Sequence, residues 1–233
     1  MKGNLYLIPS TLGDSQVSDV IPDKVLNVIN TINLYIVENE RSARRYLLKA
    51  GLTTPVDDLT FFILNKHTKP GELNEFLIPA EKGLDTGIIS EAGCPCIADP
   101  GSQIVKLAHK KDIRVIPLTG PSSIPLALMA SGMNGQNFCF NGYLPKNRQE
   151  RVKKIRSLEK RSKQKKQTQI FMETPYRNMH ILEDLIKTCD DNTLLCIAAD
   201  ITLEDEFIRT KTIKEWKKNL PDINKRPVIF LIQ

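Results

Sequence analysis

Residues 87–101 read Gly-Ile-Ile-Ser-Glu-Ala-Gly-Cys-Pro-Cys-Ile-Ala-Asp-Pro-Gly and join a short apolar segment to a loop rich in glycine and proline. The apolar segment ends at Ser90 and Glu91. After Gly101 the stretch 102–109 repeats apolar residues at helical spacing. This order predicts a strand, a constrained loop and a helix. In an open α/β sheet such a loop lies beyond the carboxyl ends of the strands, where ligands bind.

The composition is that of a globular protein. The chain has 233 residues, of which 41% are hydrophobic and 26% are charged, enough for one large domain or two smaller ones. No apolar run approaches the ~20 residues that cross a bilayer, and the apolar segment at the N-terminus is too short for a signal peptide. The five cysteines lack the spacing of a disulfide framework, which is typical of free thiols in a reducing compartment. We therefore predict a cytoplasmic protein without membrane contact.

The pair Cys94 and Cys96 raises the question of a metal site. A structural zinc site needs four ligands, usually in paired clusters. The remaining cysteines lie in apolar segments and the three histidines are scattered. We predict no metal site.

Positive charge is concentrated in residues 146–166. This segment carries eleven basic and two acidic side chains, a net +9, so the rest of a chain with net charge +6 carries −3. Val152, Ile155 and Leu158 form a narrow apolar stripe at helical spacing, which predicts a helix over 148–163 that packs on one side. A helix that serves only solubility usually mixes both signs of charge, so this one favours contact with RNA or phosphate. A solvated helix face is the alternative.

Apolar, β-branched segments recur along the chain with helical stretches between them. They alternate in the first half, which predicts βαβ units and a largely parallel sheet, whereas the closer strands of the second half predict a mixed sheet with hairpins. A Gly-Pro turn over 119–123 separates the halves, so we predict α/β domains over 1–118 and 119–233. The predicted strands are Leu5–Ile8, Leu34–Glu38, Gly87–Ser90, Val115–Leu118, Phe138–Tyr143, Gln169–Met172, Leu194–Ala198, Phe207–Thr210 and Val228–Ile232. The predicted helices are Asp23–Ile32, Arg41–Ala50, Glu72–Lys82, Ser102–Lys110, Pro125–Ser131, Gln149–Arg161, Asn178–Lys187 and Ile213–Asn219.

Three loops are expected to meet at one rim of the first sheet. They cover residues 9–13 after the first strand, 91–101 after the central strand, and 120–125 after the strand that ends at Leu118. Parallel strands present their carboxyl ends at one edge, so the loops that follow them gather there. Ser122 or Ser123 is suited to cap the next helix.

Five motifs in order along the chain resemble one enzyme family. They are the segment 90–101, Arg114-Val-Ile-Pro-Leu-Thr-Gly-Pro-Ser-Ser123, Ala130-Ser-Gly-Met133, Phe140-Asn-Gly-Tyr-Leu-Pro145 and Glu173-Thr-Pro-Tyr-Arg177. Together they resemble the tetrapyrrole (corrin/porphyrin) methylase superfamily, and most closely its branch that methylates a ribose 2′-hydroxyl of small-subunit ribosomal RNA. The resemblance implies two α/β domains, a parallel-rich N-terminal sheet, a mixed C-terminal sheet and a cofactor cleft between the domains.

The same resemblance implies a homodimer that binds S-adenosyl-L-methionine. Ten positions match cofactor contacts of the family. They are Pro9, Gly93, Cys94, Ile97, Ala98, Ser122, Ser123, Met172, Ala199 and Thr202. For Ile97 and Met172 a place in the core is the alternative, and for Ser122 a helix cap.

Methyl transfer from a sulfonium is an in-line displacement, so alignment in a dry site supplies most of the rate. A ribose hydroxyl is a poor nucleophile and benefits from a general base. Glu38, Glu91 and Glu173 are the candidate bases at strand ends, and Arg41 matches an arginine of the family that is able to hold a phosphate or form a surface pair. The candidate substrate contacts are His67, Lys153, Lys154, Arg156, Tyr176 and Arg177.

The substrate loops depart from the pattern of the rRNA branch. That branch has Glu-Asp-Thr-Arg where this chain has Glu38-Asn-Glu-Arg41, and His-Glu-His-Asn where it has Asn65-Lys-His-Thr68. Its loop Pro-Thr-Pro-Ile-Gly-Asn is Pro9-Ser-Thr-Leu-Gly-Asp14 here, and its small extra C-terminal domain is expected to be absent after Gln233. Two alternatives to an RNA methyltransferase therefore stay open. One is a methylase of a tetrapyrrole or other small metabolite, and the other is an RNA-binding relative that has lost catalysis.

Overall fold

The structure, a computed structural model, describes residues 1–65, 67–69 and 71–233. The chain divides into two compact units, Met1–Ser122 and Ser123–Gln233. The division falls inside the Gly-Pro turn over 119–123, a few residues after position 118.

The first unit contains a five-stranded parallel sheet with the strand order β3-β2-β4-β1-β5. Its strands are β1 (Asn4–Ile8), β2 (Leu34–Val37), β3 (Thr60–Ile63), β4 (Thr86–Ile89) and β5 (Arg114–Pro117). The central strand β4 is buried at every position. A Cβ on Gly87 would lie 2.7 Å from Cδ1 of Ile8 and 3.0 Å from Cδ1 of Tyr35, so the centre of the sheet requires glycine there.

Helices cover both faces of this sheet, which is why its strands are largely apolar. One core packs α1 (Val17–Val20), α2 (Asp23–Ile29) and α3 (Glu40–Lys49) against one face. The other packs α4 (Ile78–Glu81) and α5 (Gly101–Lys110) against the opposite face. Two 3₁₀ turns, Val56–Asp58 and Glu72–Leu77, complete the unit.

The second unit contains a mixed five-stranded sheet with the order β6-β7-β10-β8-β9. Its strands are β6 (Phe138–Tyr143), β7 (Thr168–Met172), β8 (Leu194–Ala199), β9 (Phe207–Thr212) and β10 (Val228–Ile232). Only β6 and β7 pair in parallel, whereas β10 runs antiparallel to β7 and β8. The carboxyl ends of β7 and β8 therefore lie at the same edge. The predicted fold class, a parallel and a mixed α/β sheet, is confirmed.

The helices of the second unit are α6 (Ser123–Ser131), α7 (Arg148–Lys165), α8 (Asn178–Thr188) and α9 (Ile213–Trp216), with a 3₁₀ turn at Pro175–Arg177. The basic helix α7 is longer than the predicted 148–163. The side chain of Asn147 accepts hydrogen bonds from the Gln149 and Glu150 amides at its start, and Lys166 ends it in a left-handed conformation with φ 47°.

Three predicted helices were wrong in part. The helix predicted over 23–32 ends at Ile29, and the one predicted over 213–219 ends at Trp216. The helix predicted over 72–82 is a 3₁₀ turn followed by the short α4, with Pro79 in its first turn. Proline is tolerated in a first turn but supplies no amide donor to a longer helix that passes through it.

Within the described residues, no helix is long and apolar enough to cross a bilayer. The same residues contain no group of three or more His, Cys, Asp or Glu side chains placed to hold a metal ion.

Candidate active site

Three loops meet at the carboxyl edge of the first sheet. The backbone amide of Ser10 donates to the carbonyl oxygen of Gly93 (3.0 Å), and the amide of Gly93 donates to the carbonyl oxygen of Thr11 (3.4 Å). The Cys94 thiol lies 3.4 Å from the carbonyl oxygen of Gly120. The loops that follow β1, β4 and β5 are thus joined by direct hydrogen bonds.

Two glycines permit this close approach. Gly93 has φ +74°, and a Cβ there would lie 2.8 Å from Cδ2 of Leu12 and 3.0 Å from the carbonyl oxygen of Pro121. A Cβ on Gly120 would lie 2.2 Å from Cβ of Pro9. No larger residue fits either position without moving a neighbouring loop.

The loop after β4 is held in an unusual backbone conformation. Cys96 and Ala98 have φ values of 69° and 65°, a region that residues with a Cβ seldom adopt. The Asp99 carboxylate accepts hydrogen bonds from the amides of Cys96 and Gly101, both at 2.7 Å. Ile97 is 49% exposed, so it is not a core residue. Burial, with a smaller contribution from Asp99, raises the pKa of the Cys96 thiol to about 12, so this thiol is neutral and is no nucleophile.

Two of the candidate bases lie together beside this loop. The amide of Glu91 donates to Oε1 of Glu38 at 3.4 Å. Ser42, on the first turn of α3, donates its hydroxyl to Oε1 of Glu91 at 2.7 Å. Burial raises the pKa of Glu38, and the charges of Asp99 and Glu91 act in the same direction, while the hydrogen bond from Glu91 opposes them.

Arg41 and His67 lie on exposed surface of the first unit. Arg41 is in the first turn of α3, after Asn39, whose side chain caps the helix by accepting from the Arg41 and Ser42 amides. In the described part of the chain no carboxylate lies within 4.0 Å of the Arg41 guanidinium. The amide of His67 donates to Oδ1 of Asn65 at 2.8 Å. Among the described residues, neither Arg41 nor His67 forms a hydrogen bond with Glu38 or Glu91.

A pocket of about 490 Å³ opens between the first loop and α3. Its apolar floor consists of Val37, Ala43 and Ile89, which are all buried. Leu12 and Gly13 also line it, and the other lining residues have polar side chains: Ser10, Thr11, Asp14, Ser42, Arg45, Tyr46, Lys49, Ser90 and Glu91. Of the four predicted catalytic residues, Glu91 alone lines this pocket, and Glu38 lines a narrow adjoining cavity that shares Val37 and Ile89.

In the second unit, three predicted cofactor residues lie near one sheet edge. Met172 ends β7 and Ala199 ends β8, on either side of β10. Thr202 follows β8 with φ 71°, and its backbone amide donates to Oε2 of Glu206 at 2.9 Å. The Thr202 hydroxyl is buried and has no hydrogen-bond partner among the described residues. A buried hydroxyl without a partner is costly unless a ligand supplies one.

Glu173 lies directly after β7 and is 5% exposed. Its Oε1 accepts hydrogen bonds from the amide of Thr174 (2.7 Å) and from the Arg177 guanidinium. Its Oε2 is buried and lacks a partner among the described residues. Tyr176, in the intervening turn, is 75% exposed. Arg177 is therefore an ion-pair partner within the unit, while Tyr176 is available on the surface.

The three basic residues predicted to contact RNA lie on α7. Lys153 and Arg156 are exposed, and Lys154 is partly buried. The opposite face of the helix buries Ile155 and Leu158 in the core of the second unit, so the charges face outward.

Comparisons with known proteins agree with this architecture. The sequence profile of the tetrapyrrole (corrin/porphyrin) methylases matches residues 22–217. This chain belongs to the tetrapyrrole methylase family. It is an enzyme, a methyltransferase. The family assignment confirms the resemblance that the five motifs predicted.

Two curated relatives cover almost the whole chain. The ribosomal RNA small subunit methyltransferase I of Buchnera aphidicola subsp. Schizaphis graminum is 31% identical over 233 residues, which is 99% of this chain and 78% of the relative. The protein of the same name from Haemophilus influenzae is 28% identical over 236 residues, which is 100% of this chain and 79% of the relative.

Solved structures of similar fold are more distant in sequence. The methyltransferase CobJ aligns with a TM-score of 0.64 at 16% identity, covering 99% of this chain and 93% of CobJ. The cobalt precorrin-4 methyltransferase CbiF aligns with a TM-score of 0.62 at 14% identity, covering 98% of this chain and 94% of CbiF. These alignments support the fold.

The sequence interpretation missed most residues of the pocket. Ser42, Arg45, Tyr46 and Lys49 stand at positions i, i+3, i+4 and i+7 of α3 and therefore share one face. That face is polar where it meets the first loop, a pattern that was visible in the sequence once the helix was assigned. The hydroxyls of the first loop carried no such signal, because their positions depend on the path of the loop.

Proposed function

We propose that this methyltransferase uses S-adenosyl-L-methionine to methylate a ribose hydroxyl of small-subunit ribosomal RNA. The observation that carries the proposal is the cradle of three loops around Gly93, in a chain whose curated relatives are named for this RNA. Gly93 and Gly120 let the three loops pack this closely, which gathers the predicted cofactor residues of the first unit at the carboxyl edge of its sheet.

The proposed cofactor residues have separate support in each unit. In the first unit, Pro9, Gly93, Cys94, Ile97, Ala98 and Ser122 would hold it, and the glycine cradle supports this assignment. In the second unit Ser123, Met172, Ala199 and Thr202 would do so, and the unpaired buried hydroxyl of Thr202 supports it. When bound, S-adenosyl-L-methionine supplies an electrophilic methyl group on a sulfonium.

Glu91 is the proposed general base. It lines the pocket and has one carboxylate oxygen held by Ser42, which leaves the other to accept a proton. This oxygen would accept the proton of the ribose hydroxyl, whose oxygen would take the methyl group that the bound cofactor supplies. Glu38 holds the Glu91 backbone in place, and Arg41 is proposed to bind a phosphate of the RNA. Glu173 is proposed to position Arg177 and the turn over 173–177.

RNA is the proposed substrate because of the outward charges on α7. Lys153, Lys154 and Arg156 neutralise phosphates in this proposal, while His67, Tyr176 and Arg177 are further proposed contacts. A small tetrapyrrole has no need of such a helix.

The protein is proposed to act as a homodimer in the cytoplasm, and its five free cysteines are consistent with a reducing compartment.

A methylase of a tetrapyrrole is the second candidate function. The family name and the fold of CobJ and CbiF favour it. It differs from the first proposal only in the acceptor, so one labelling experiment separates the two.

The test measures label from tritiated S-adenosyl-L-methionine in small ribosomal subunits isolated from a strain that lacks this gene. Label in the RNA, located at a ribose after nuclease digestion, is the expected result. Label found only in a small-molecule fraction would favour a methylase of a tetrapyrrole or other small metabolite. Calorimetry with millimolar S-adenosyl-L-methionine distinguishes either enzyme from an RNA-binding relative that has lost catalysis. The absence of binding would exclude both enzyme proposals.

Two variants test the division between cofactor and substrate residues. Ser123→Trp is expected to abolish cofactor binding, whereas Arg41→Ala is expected to leave it unchanged and to lower turnover. Equal loss of cofactor binding in both variants would show that Arg41 does not lie on the substrate side.

A further inference from the structure

We propose that the 490 Å³ pocket of the first unit binds the acceptor nucleotide of RNA, with Arg45 bound to the phosphate next to the methylated ribose. This inference rests on the proposed function, which it extends by assigning a subsite and its anion-binding residue.

The size and lining of the pocket fit a nucleotide. Its volume of about 490 Å³ lies in the usual range for small-molecule sites, which join an apolar surface to a few polar groups. Val37, Ala43 and Ile89 form the buried apolar floor, against which the flat face of a base or sugar is able to pack. The Ser42 hydroxyl and the Glu91 carboxylate lie together at one side, where a ribose hydroxyl would be deprotonated.

Arg45 is the cation in this pocket that has no acidic partner. No carboxylate in the described segments lies within 4.0 Å of its guanidinium. Lys49, the other cation, pairs with Asp14. Arg44, its neighbour in sequence, points away from the pocket, pairs with Glu40 and Asp57, and lies 5.1 Å over the ring of Phe61. An arginine without a carboxylate partner in a polar pocket is suited to bidentate binding of a phosphate.

Two contacts join the first loop to α3. The Tyr46 hydroxyl donates to the carbonyl oxygen of Pro9 at 2.6 Å, and Lys49 pairs with Asp14 across the pocket mouth. Both residues lie on the same helix as Arg45. The first loop is therefore attached to α3, so the backbone position of Arg45 relative to the pocket is set before any ligand enters.

The test uses a ribotrinucleotide of random base sequence and a matched probe with uncharged methylphosphonate linkages. Binding to the full chain is measured by NMR titration in the presence of S-adenosylhomocysteine, so no methyl transfer is required. We expect Arg45→Ala to weaken binding of the charged probe by about tenfold or more and to leave the uncharged probe within about twofold. Arg45→Lys should retain part of the affinity.

Arg44→Ala is the matched control, because it removes the same charge one residue away and outside the pocket. It should change the affinity for either probe by less than about twofold. Equal effects of Arg44→Ala and Arg45→Ala, or no detectable binding at millimolar trinucleotide, would overturn the subsite. Methylation of ribosomal subunits by an Arg45→Ala protein with unchanged KM for RNA would also overturn it while leaving the proposed function intact.

Discussion

The backbone amide of Glu91 donates a 3.4 Å hydrogen bond to a carboxylate oxygen of Glu38. This bond joins the ends of the adjacent strands β4 and β2, and it places two acidic side chains near each other at the carboxyl edge of the sheet. One of them lines the 490 Å³ pocket, and the other is partly buried behind it. The two carboxylates therefore have different surroundings, and they are expected to respond differently to substitution.

Glu91→Gln should lower the rate of methyl transfer by about 10²-fold or more, because an amide cannot accept the proton of the acceptor hydroxyl. The affinity for S-adenosyl-L-methionine should not change, since the amide keeps the size of the side chain and its bond from Ser42. Single-turnover kinetics with a saturating cofactor measure the rate, and calorimetry measures the affinity. A variant with wild-type turnover would show that Glu91 is not the base.

Glu38→Gln should stabilise the protein at pH 8 but not near pH 4. Burial raises the pKa of Glu38 in the folded state, so in the interval between the ordinary and the raised pKa the folded protein holds a proton that the unfolded chain has released. Stability therefore falls as pH rises through this interval, and the loss is complete above the folded pKa. The amide removes the titration while it still accepts from the Glu91 amide.

Thermal unfolding of Glu38→Gln and the wild type at both pH values measures this effect. The difference in unfolding free energy should be largest at pH 8 and should shrink toward pH 4. Glu204→Gln is a suitable control, because Glu204 is an exposed carboxylate of the second unit. A difference for Glu38→Gln that does not depend on pH would contradict the burial argument.

Gly93→Ala should weaken binding of S-adenosyl-L-methionine by about tenfold or more. The added Cβ would lie 2.8 Å from the Leu12 side chain and 3.0 Å from the Pro121 carbonyl oxygen, at a φ of +74°, so either the central loop or its neighbours must shift. The backbone strain alone costs about 1–2 kcal/mol.

Gly51→Ala separates strain from crowding. Gly51 has φ +78°, but a Cβ there would meet nothing within 4 Å. This control should lower the melting temperature by about 2–4 °C per kcal/mol of strain without changing cofactor affinity. If both variants bind the cofactor equally well, the loop around Gly93 is not its cradle.

Simultaneous replacement of Lys153, Lys154 and Arg156 by glutamine should flatten the salt dependence of RNA binding. Each phosphate contact contributes about 0.7–0.9 to the slope of log K against log salt, so the slope should fall by about 2. Gel shifts with small-subunit RNA at several salt concentrations measure it. A control triple variant at Lys24, Lys106 and Lys110, which are exposed in the first unit, removes the same charge. Equal slopes in the two variants would show that the charges of α7 face solvent and do not contact RNA.

The parallel sheet and the meeting of its loops were predictable from sequence, because short apolar segments such as 87–89 alternate with helical stretches and parallel strands end at one edge. The strand β3 was missed. It has only four residues, but the run from Phe61 to Leu64 is apolar and rich in aromatic and β-branched residues, so the sequence did carry a strand signal there. Its ring contacts, such as Tyr35 with Phe61, form only after the sheet has assembled.

The pocket was less predictable than the loops that border it. Its lining combines the first loop, α3 and the end of β4, three segments that are far apart in the sequence. The loop after β4 also contains Cys96 and Ala98 at positive φ values, which nothing in their side chains indicates. The contact of Ser42 with Glu91 joins residues 49 positions apart, so no local pattern reveals it. Sequence motifs identified the residue types of the candidate site, whereas the pairing of those residues depends on loop conformation.

Asp184→Ala should destabilise the second unit by about 3–5 kcal/mol, because it removes one partner of a buried ion pair. Oδ2 of Asp184 accepts from the Arg151 guanidinium at 2.6 Å, and the two side chains are 3% and 8% exposed. The same guanidinium donates to the carbonyl oxygen of Lys146 at 2.9 Å, so the pair anchors the start of α7 to α8. Without it Arg151 would be buried with its charge uncompensated.

Arg148→Ala is the control for this prediction. Arg148 contacts the other oxygen of Asp184 at 3.0 Å, but its side chain is 67% exposed, and exposed pairs contribute about 0–1 kcal/mol. Chemical denaturation of both variants measures the difference. If the two substitutions lower the free energy of unfolding equally, the Arg151 guanidinium is exposed to water in solution, and its pair with Asp184 does not hold α7 in place. In that case the salt slope of RNA binding by Asp184→Ala, measured below its denaturation midpoint, should match that of the wild type. If the pair does hold α7 in place, Asp184→Ala is expected to bind RNA with a lower affinity than the wild type.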